Sequence, residues 1–156
     1  MYFTISSTIG SIKKAGMDGS NSVQIVTGLE TPIGITIDFE NSRLYWMVVE
    51  KMQSSNMQGK DIRTIIQFPT RTNTWGVAML HGRIYSTSWT SRTFSRCTET
   101  GQDLRLLYNG TENTYGVAVI PRLNLPTNRM NDCADQNCPG VCVLSPTSST
   151  CLPSKP

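Results

Sequence analysis

Three kinds of short segment recur through residues 1–121 at a spacing near 40, and that recurrence limits the fold more than any other feature of the chain. The first is a glycine set in alternating residues: Ile33-Gly34-Ile35-Thr36-Ile37, Trp75-Gly76-Val77-Ala78-Met79 and Tyr115-Gly116-Val117-Ala118-Val119. Its glycines stand at 34, 76 and 116, spacings of 42 and 40. The second is a tyrosine in an apolar run: Met1-Tyr2-Phe3, Leu44-Tyr45-Trp46 and Ile84-Tyr85-Ser86. Tyr2, Tyr45 and Tyr85 give spacings of 43 and 40. The third is a turn glycine, in Asp18-Gly19, Gln58-Gly59 and Thr100-Gly101, with spacings of 40 and 42. Independent anchors that share one period indicate a repeat architecture.

Each repeat reads as four short strands. In the second repeat these are Ile33–Asp38, Leu44–Val48, a strand near Met52–Met57 that ends at the Gly59 turn, and Ile62–Gln67. Ile33, Ile35 and Ile37 alternate with Gly34, Thr36 and Asp38, the period of two that gives a strand two different faces. Small residues on one face suit the crowded inner region of a propeller, where side chains must fit a taper. Gly34, Gly76 and Gly116 therefore read as structural, permitting close backbone approach. No stretch shows the three-and-four apolar spacing of a helix, which removes helical repeats. The composition agrees: charged residues are 16% and hydrophobic residues 38%, with much of the remainder in turn- and strand-forming Ser, Thr, Asn and Gly. The Tyr and Trp side chains read as packing between blades.

Little in the chain suggests chemistry. With 14 Lys and Arg against 11 Asp and Glu, the net charge of +3 is too small and scattered for nucleic-acid binding. No apolar run approaches the length of a membrane span, and no basic segment followed by an apolar stretch opens the chain. The single histidine, His81, precedes Gly82 and reads as a turn residue or as a candidate pH sensor. No serine carries a nucleophile motif that would enlist it. Propeller enzymes that hold a metal in the central channel use several carboxylates, and here the inner strands offer Asp38 alone. No cofactor, no metal and no enzymatic activity are expected. Arg92, Arg96 and Arg105 fall in one repeat and read as solvated surface.

The cysteines divide unevenly. Cys133, Cys138, Cys142 and Cys151 crowd a Pro- and Ser-rich tail, without a CxxC pair or a nearby histidine. That pattern reads as a small disulfide module and places the chain in an oxidising compartment; the spacing alone leaves three connectivities open. Cys97 is the odd one, a buried free thiol or a partner for something outside this chain. Asn109-Gly110-Thr111 is a glycosylation sequon as well as a turn sequence.

These residues resemble the YWTD, or class B, repeats of the low-density lipoprotein receptor family. Arg43-Leu44-Tyr45-Trp46 matches the start of the motif, and Pro32-Ile33-Gly34-Ile35-Thr36-Ile37-Asp38 is similar to the family's Pro-x-Gly-Ile-Ala-x-Asp strand. His81-Gly82-Arg83-Ile84-Tyr85-Ser86-Thr87-Ser88-Trp89 resembles a blade reading YWTDW. The tail from Asn131 to Cys151 resembles the epidermal-growth-factor-like module that follows the last blade. The motif's Asp is replaced by Ile5, Val48 and Ser88, and its Thr is kept at Thr4 and Thr87 but is Met47 between them.

The resemblance implies an all-β chain: a partial YWTD β-propeller of about three blades over residues 1–121, then a truncated epidermal-growth-factor-like module over 128–156. It implies pairings Cys133–Cys142 and Cys138–Cys151. It also implies a non-catalytic extracellular module of an endocytic receptor, working outside the cell or in the endosomal lumen as part of a single-pass membrane protein. Its task would be ligand binding or pH-dependent release, with protein ligands of which a lipoprotein or a yolk protein is one version. The alternative is a matrix or signalling protein with the same unit, nidogen-like or growth-factor-precursor-like. The ends of the repeat region supply three strands and one strand of a single blade. The remaining blades of a longer parent chain, or a second copy in a six-bladed ring, would complete it; three blades alone leave long exposed edges.

Overall fold

The computed structural model describes residues 1–69, 73–119, 141–144 and 149–152. All regular structure among them is β. Eleven strands precede residue 110: β1 (Tyr2–Ile5), β2 (Gly10–Lys14), β3 (Val23–Leu29), β4 (Ile35–Asp38), β5 (Arg43–Val48), β6 (Lys51–Asn56), β7 (Arg63–Gln67), β8 (Thr74–Leu80), β9 (Arg83–Ser88), β10 (Thr93–Thr98) and β11 (Arg105–Asn109). They form a three-stranded sheet β1-β2-β3 and two four-stranded sheets, β4-β5-β6-β7 and β8-β9-β10-β11. In the two four-stranded sheets, each strand pairs antiparallel with the next in sequence, which is the meander of a propeller blade. The expected strands of the second repeat lie within two residues of β4 to β7.

The chain divides into two units, one of Phe3–Lys13 and Gln24–Pro121, the other of Met1–Tyr2, Lys14–Val23 and Arg122–Pro156. In the second unit the described part of the tail is a hairpin of β12 (Val141–Leu144) and β13 (Ser149–Leu152), which sets Cys142 opposite Cys151. Cys151 is disulfide-bonded. Cys133 and Cys138 lie outside the described residues.

Turn chemistry explains the register. His81 and Gly82 both have positive φ, 46° and 68°, and form a two-residue link from β8 to β9. Such mirror-image turns match strand twist, and His tolerates the left-handed region better than most residues. Gly19, Gly59 and Gly101 sit at φ 84°, 76° and 80°, where a side chain would be strained. Two residues on, Asn21, Asp61 and Asp103 also have positive φ. This fourth anchor, spaced 40 and 42, is absent from the sequence reading although the residues carry it.

The core of the larger unit follows from β5. Leu44, Tyr45, Trp46, Met47 and Val48 are all buried, as expected of a strand covered on both faces. Tyr45, Met47 and Met52 pack with Val77, Ile84 and Cys97 of the next blade, so the seam between these blades is largely apolar. Cys97 is free and buried. Burial pushes its thiol up to about 11, against a smaller opposing pull from Arg83.

Candidate functional site

The inner strands converge through their glycines. A Cβ on Gly34 would lie 2.7 Å from Trp75 O and 3.2 Å from Val77 Cγ1; one on Gly76 would lie 2.8 Å from Tyr115 O and 3.0 Å from Val117 N. Gly34 and Gly76 thus permit the close approach expected of them. At Gly116 a Cβ meets nothing within 4 Å among the described residues. Tyr115–Val119, the described part of the segment expected as a strand over Tyr115–Ile120, lies beside β8 without a ladder partner among the described residues. Together β4, β8 and this segment line a cavity of about 600 Å³, with Ile37, Val77, Met79 and Val117 in its walls.

The two ends of these strands differ in chemistry. At the C-terminal end, Asp38 is buried and its carboxylate accepts hydrogen bonds from Glu40 N (3.0 Å), Asn41 N (3.1 Å) and Asn41 Nδ2 (2.9 Å). That is an Asx-type turn, and the expected lone channel carboxylate is engaged in it. Asn41 Nδ2 also donates to Glu99 Oε2 at 3.0 Å, and His81 Nδ1 lies 3.2 Å from Glu40 Oε1. The His81–Glu40 pair is exposed, with side chains 73% and 65% accessible. Among the described residues, no three of His, Cys, Asp and Glu converge as metal ligands.

At the N-terminal end an aromatic cluster is presented to solvent. The Trp75 ring meets the Trp89 ring edge-on, with centroids 6.2 Å apart, and the Tyr115 ring at 6.3 Å. All three are exposed, by 42%, 38% and 53%. This corrects the expectation that the Tyr and Trp residues pack between blades. Tyr45 does so, Trp46 is fully buried, and Tyr85 stacks on Phe94 at 6.0 Å within its own blade. Tyr2 is half-buried, its ring 5.8 Å from Lys14 Nζ. Trp75, Trp89 and Tyr115 form a face instead.

Hydrogen bonds to the backbone tie together the segments that carry that face. Trp89 N donates to Asn73 O at 3.1 Å, and Thr114 Oγ1 lies 2.9 Å from Ser88 O and 3.0 Å from Thr93 O. Thr87 Oγ1 donates to Tyr115 O at 2.7 Å and accepts from Gly76 N at 3.0 Å. Thr4 Oγ1 makes the matching bond to Ile33 O at 2.7 Å. The motif threonine therefore latches a blade to the next inner strand in the two copies that keep it.

The sequence reading also missed a repeated Arg–Asp–Arg clamp. Asp61 pairs with Arg43 at 3.0 Å and Arg63 at 2.8 Å; Asp103 pairs with Arg83 at 3.2 Å and Arg105 at 2.7 Å. Hydrogen bonds from these arginines hold both carboxyls below the usual carboxylate range. Arg105, expected as solvated surface, is one of the clamp residues. Asn109 ends β11, is exposed, and pairs across to Thr93.

The comparisons with known proteins fit this architecture. No protein-family model matches the chain. It is 29% identical over 149 residues to a vitellogenin receptor of Solenopsis invicta, an alignment covering 93% of the chain and 8% of the relative. It is 26% identical to the low-density lipoprotein receptor-related protein 5 of Mus musculus, over 90% of the chain and 9% of the relative. The chain thus spans under a tenth of the length of these curated relatives. Its fold matches a chain of a nidogen/laminin complex with TM-score 0.66 and 22% identity, over 74% of this chain and 46% of that one. The fold also serves enzymes, a gluconolactonase from Xanthomonas campestris matching with TM-score 0.54 at 17% identity, over 70% of this chain and 38% of that one. By its ordered repeats, its blades and its receptor relatives, the chain is similar to proteins of the low-density lipoprotein receptor family and folds into blades like those of a YWTD-type propeller.

Proposed function

We propose that this chain is a non-catalytic ligand-binding module of an extracellular endocytic receptor, and that it captures protein ligands on the Trp75–Trp89–Tyr115 face. The exposed aromatic cluster carries the reading. Trp and Tyr side chains left in water and held edge-to-face by the backbone cost apolar exposure that a partner would relieve. They are the residue types that dominate interface hot spots. The receptor relatives support a protein ligand, and the vitellogenin receptor among them supports a yolk protein or lipoprotein as its class.

The domain limits 1–121 and 128–156, the disulfides Cys133–Cys142 and Cys138–Cys151 and a glycan at Asn109 belong to the same proposal, as does work outside the cell or in the endosomal lumen. So does a pH-dependent arm: protonated His81 would form an ion pair with Glu40 at the opposite end of the inner strands. The matrix alternative is supported by the likeness to the nidogen/laminin complex.

The test is direct binding of purified vitellogenin, low-density lipoprotein and laminin to the immobilised chain. Vitellogenin or lipoprotein binding that weakens at least tenfold in Trp75→Ala and Trp89→Ala supports the proposal. Laminin binding alone favours the matrix reading. Binding of vitellogenin or lipoprotein that is untouched by both substitutions removes the aromatic face from the site.

A further inference from the structure

Asn109 is followed by glycine, and no other asparagine in the chain is. That pairing carries chemistry of its own. The backbone nitrogen after an asparagine can attack the side-chain amide carbon and close a five-membered ring. A side chain on the following residue hinders the attack. Glycine, with no Cβ and a freely turning backbone, does not. Asn21, Asn41, Asn56, Asn73 and Asn113 are followed by Ser, Ser, Met, Thr and Thr. Asn109 is also exposed to water, at the end of β11.

The ring-closing nitrogen is nonetheless held. Gly110 N donates to Arg92 O at 3.1 Å. Hydrogen-bonded and non-hydrogen-bonded pairs alternate along an antiparallel ladder. Tyr108 stands opposite Phe94 and Asn109 opposite Thr93, so the Gly110–Arg92 bond closes the end of this ladder and Asn109 occupies the pair before it. Bonds at the frayed end of an element open at the least cost. Tyr108 supplies a second guard. A Cβ on Gly110 would run into the Tyr108 phenol, so that ring lies against Gly110 and leaves it half-buried between exposed Asn109 and Thr111.

We infer that Asn109 is a site of spontaneous deamidation whose rate is set by opening of the Gly110–Arg92 bond. In the closed ladder the Gly110 N–H is committed to Arg92 O. Once the bond opens, the nitrogen gives its proton to water and bonds to Asn109 Cγ. The Cγ–Nδ2 bond breaks and ammonia leaves. Water then opens the succinimide at either carbonyl, leaving aspartate or isoaspartate at position 109. The net reaction exchanges ammonia for water and oxidises nothing. Isoaspartate lengthens the backbone by a carbon, so the last step of the β10–β11 ladder loses its register. Thr93, opposite Asn109, offers its carbonyl to Thr114 Oγ1 at 3.0 Å. Damage at the ladder's end therefore reaches the residue before Tyr115. Either product also removes the asparagine of the glycosylation sequon.

Peptide mapping by mass spectrometry during incubation at mildly alkaline pH tests this inference, with isoaspartate counted by enzymatic methylation. The full chain carrying Thr111→Ala serves as parent, because it keeps Asn109-Gly110 and leaves Nδ2 free of any glycan. Folded, it should convert Asn109 at least tenfold faster than Asn21, Asn41, Asn56, Asn73 or Asn113, and at least tenfold more slowly than the same chain in urea. Adding Tyr108→Ala should speed the folded reaction at least threefold and leave the rate in urea unchanged. Adding Gly110→Ala should slow the rate in urea at least tenfold. Far-ultraviolet circular dichroism reports whether each variant keeps its sheet. Equal rates for the folded and unfolded parent overturn the inference. So does conversion of the other five asparagines as fast as Asn109, or a folded rate indifferent to Tyr108→Ala. None of these results depends on ligand binding, so this inference and the receptor reading fail separately.

Discussion

Strands β5 and β9 hold the same place in successive blades and are buried to a similar depth, yet they are built from different chemistry. In β5 the buried run is Leu44-Tyr45-Trp46-Met47-Val48; in β9 Ile84 is followed, beyond half-buried Tyr85, by buried Ser86, Thr87 and Ser88. The first seam gains its stability from apolar area removed from water. The second must satisfy hydroxyl groups in place, which it does at Thr87 through Tyr115 O and Gly76 N and at Ser88 through Asn73 O. A propeller seam therefore needs matched burial rather than one fixed residue set. That explains how Met47 replaces the motif threonine, and how Ile5, Val48 and Ser88 stand where the family has Asp. A polar partner is costly to lose alone and nearly neutral to lose together with its mate.

Substitution at position 47 should break the comparison most sharply. Met47→Ala is expected to cost about 3 kcal/mol in urea unfolding, through the cavity it leaves. Met47→Thr should recover about 1 kcal/mol of that if its hydroxyl reaches Trp75 O as Thr87 reaches Tyr115 O. Equal losses for Ala and Thr would show that the first seam cannot accept the latch. The glycines come next. Gly34→Ala should cost about 2 kcal/mol by pressing on Trp75 backbone, and Gly116→Ala should stay within about 0.5 kcal/mol. Unfolding midpoints that move together would contradict the difference between a filled and an open position.

The thiol in the apolar seam gives a pH signature. Free Cys97 has its folded value raised from 9 to about 11. The folded state therefore holds the proton more tightly, and this contribution is fully present below pH 9. It is lost as pH rises from about 9 through 11, up to about 3 kcal/mol. Subtracting the stability curve of Cys97→Ala should isolate a fall in that window, and a flat difference would mean that the thiol is not desolvated. Thr87→Val should cost about 1.5 kcal/mol by freeing Tyr115 O and Gly76 N, and should loosen the aromatic face, read as a shift in tryptophan emission. The smallest effect is expected at the exposed ion pair, where His81→Ala should change stability by under about 0.5 kcal/mol.

The period was legible because it rests on backbone demands that few residues meet. Gly34 and Gly76 are close-approach positions and Gly59 and Gly101 are left-handed turn positions, so their spacing reports the blade directly. Asn21, Asp61 and Asp103 were legible at the same spacing and went unread, because an isolated polar residue looks like surface until its positive φ and its arginines are seen. The exposed aromatic face could not be read. Trp46 and Trp75 share a residue type but lie on different strands of the repeat, and the three-dimensional arrangement leaves one at 0% and the other at 42% exposure. Gly116 shares the place of Gly34 and Gly76 in the repeat, but among the described residues no neighbour stands beside it to show a role.

Cys97 has one more consequence. A chain with a disulfide at Cys151 and a reduced thiol at Cys97 carries its own reagent for scrambling, since exchange begins when a thiolate attacks a disulfide sulfur. At neutral pH a thiol titrating at about 11 is ionised to roughly one part in ten thousand. At 1% exposure even that fraction has little access to a partner sulfur. Folding of the blades thus switches off thiol exchange, and the order of events matters. Blades that close before the tail cysteines pair protect the correct bridges; blades that close late leave Cys97 free to compete for them.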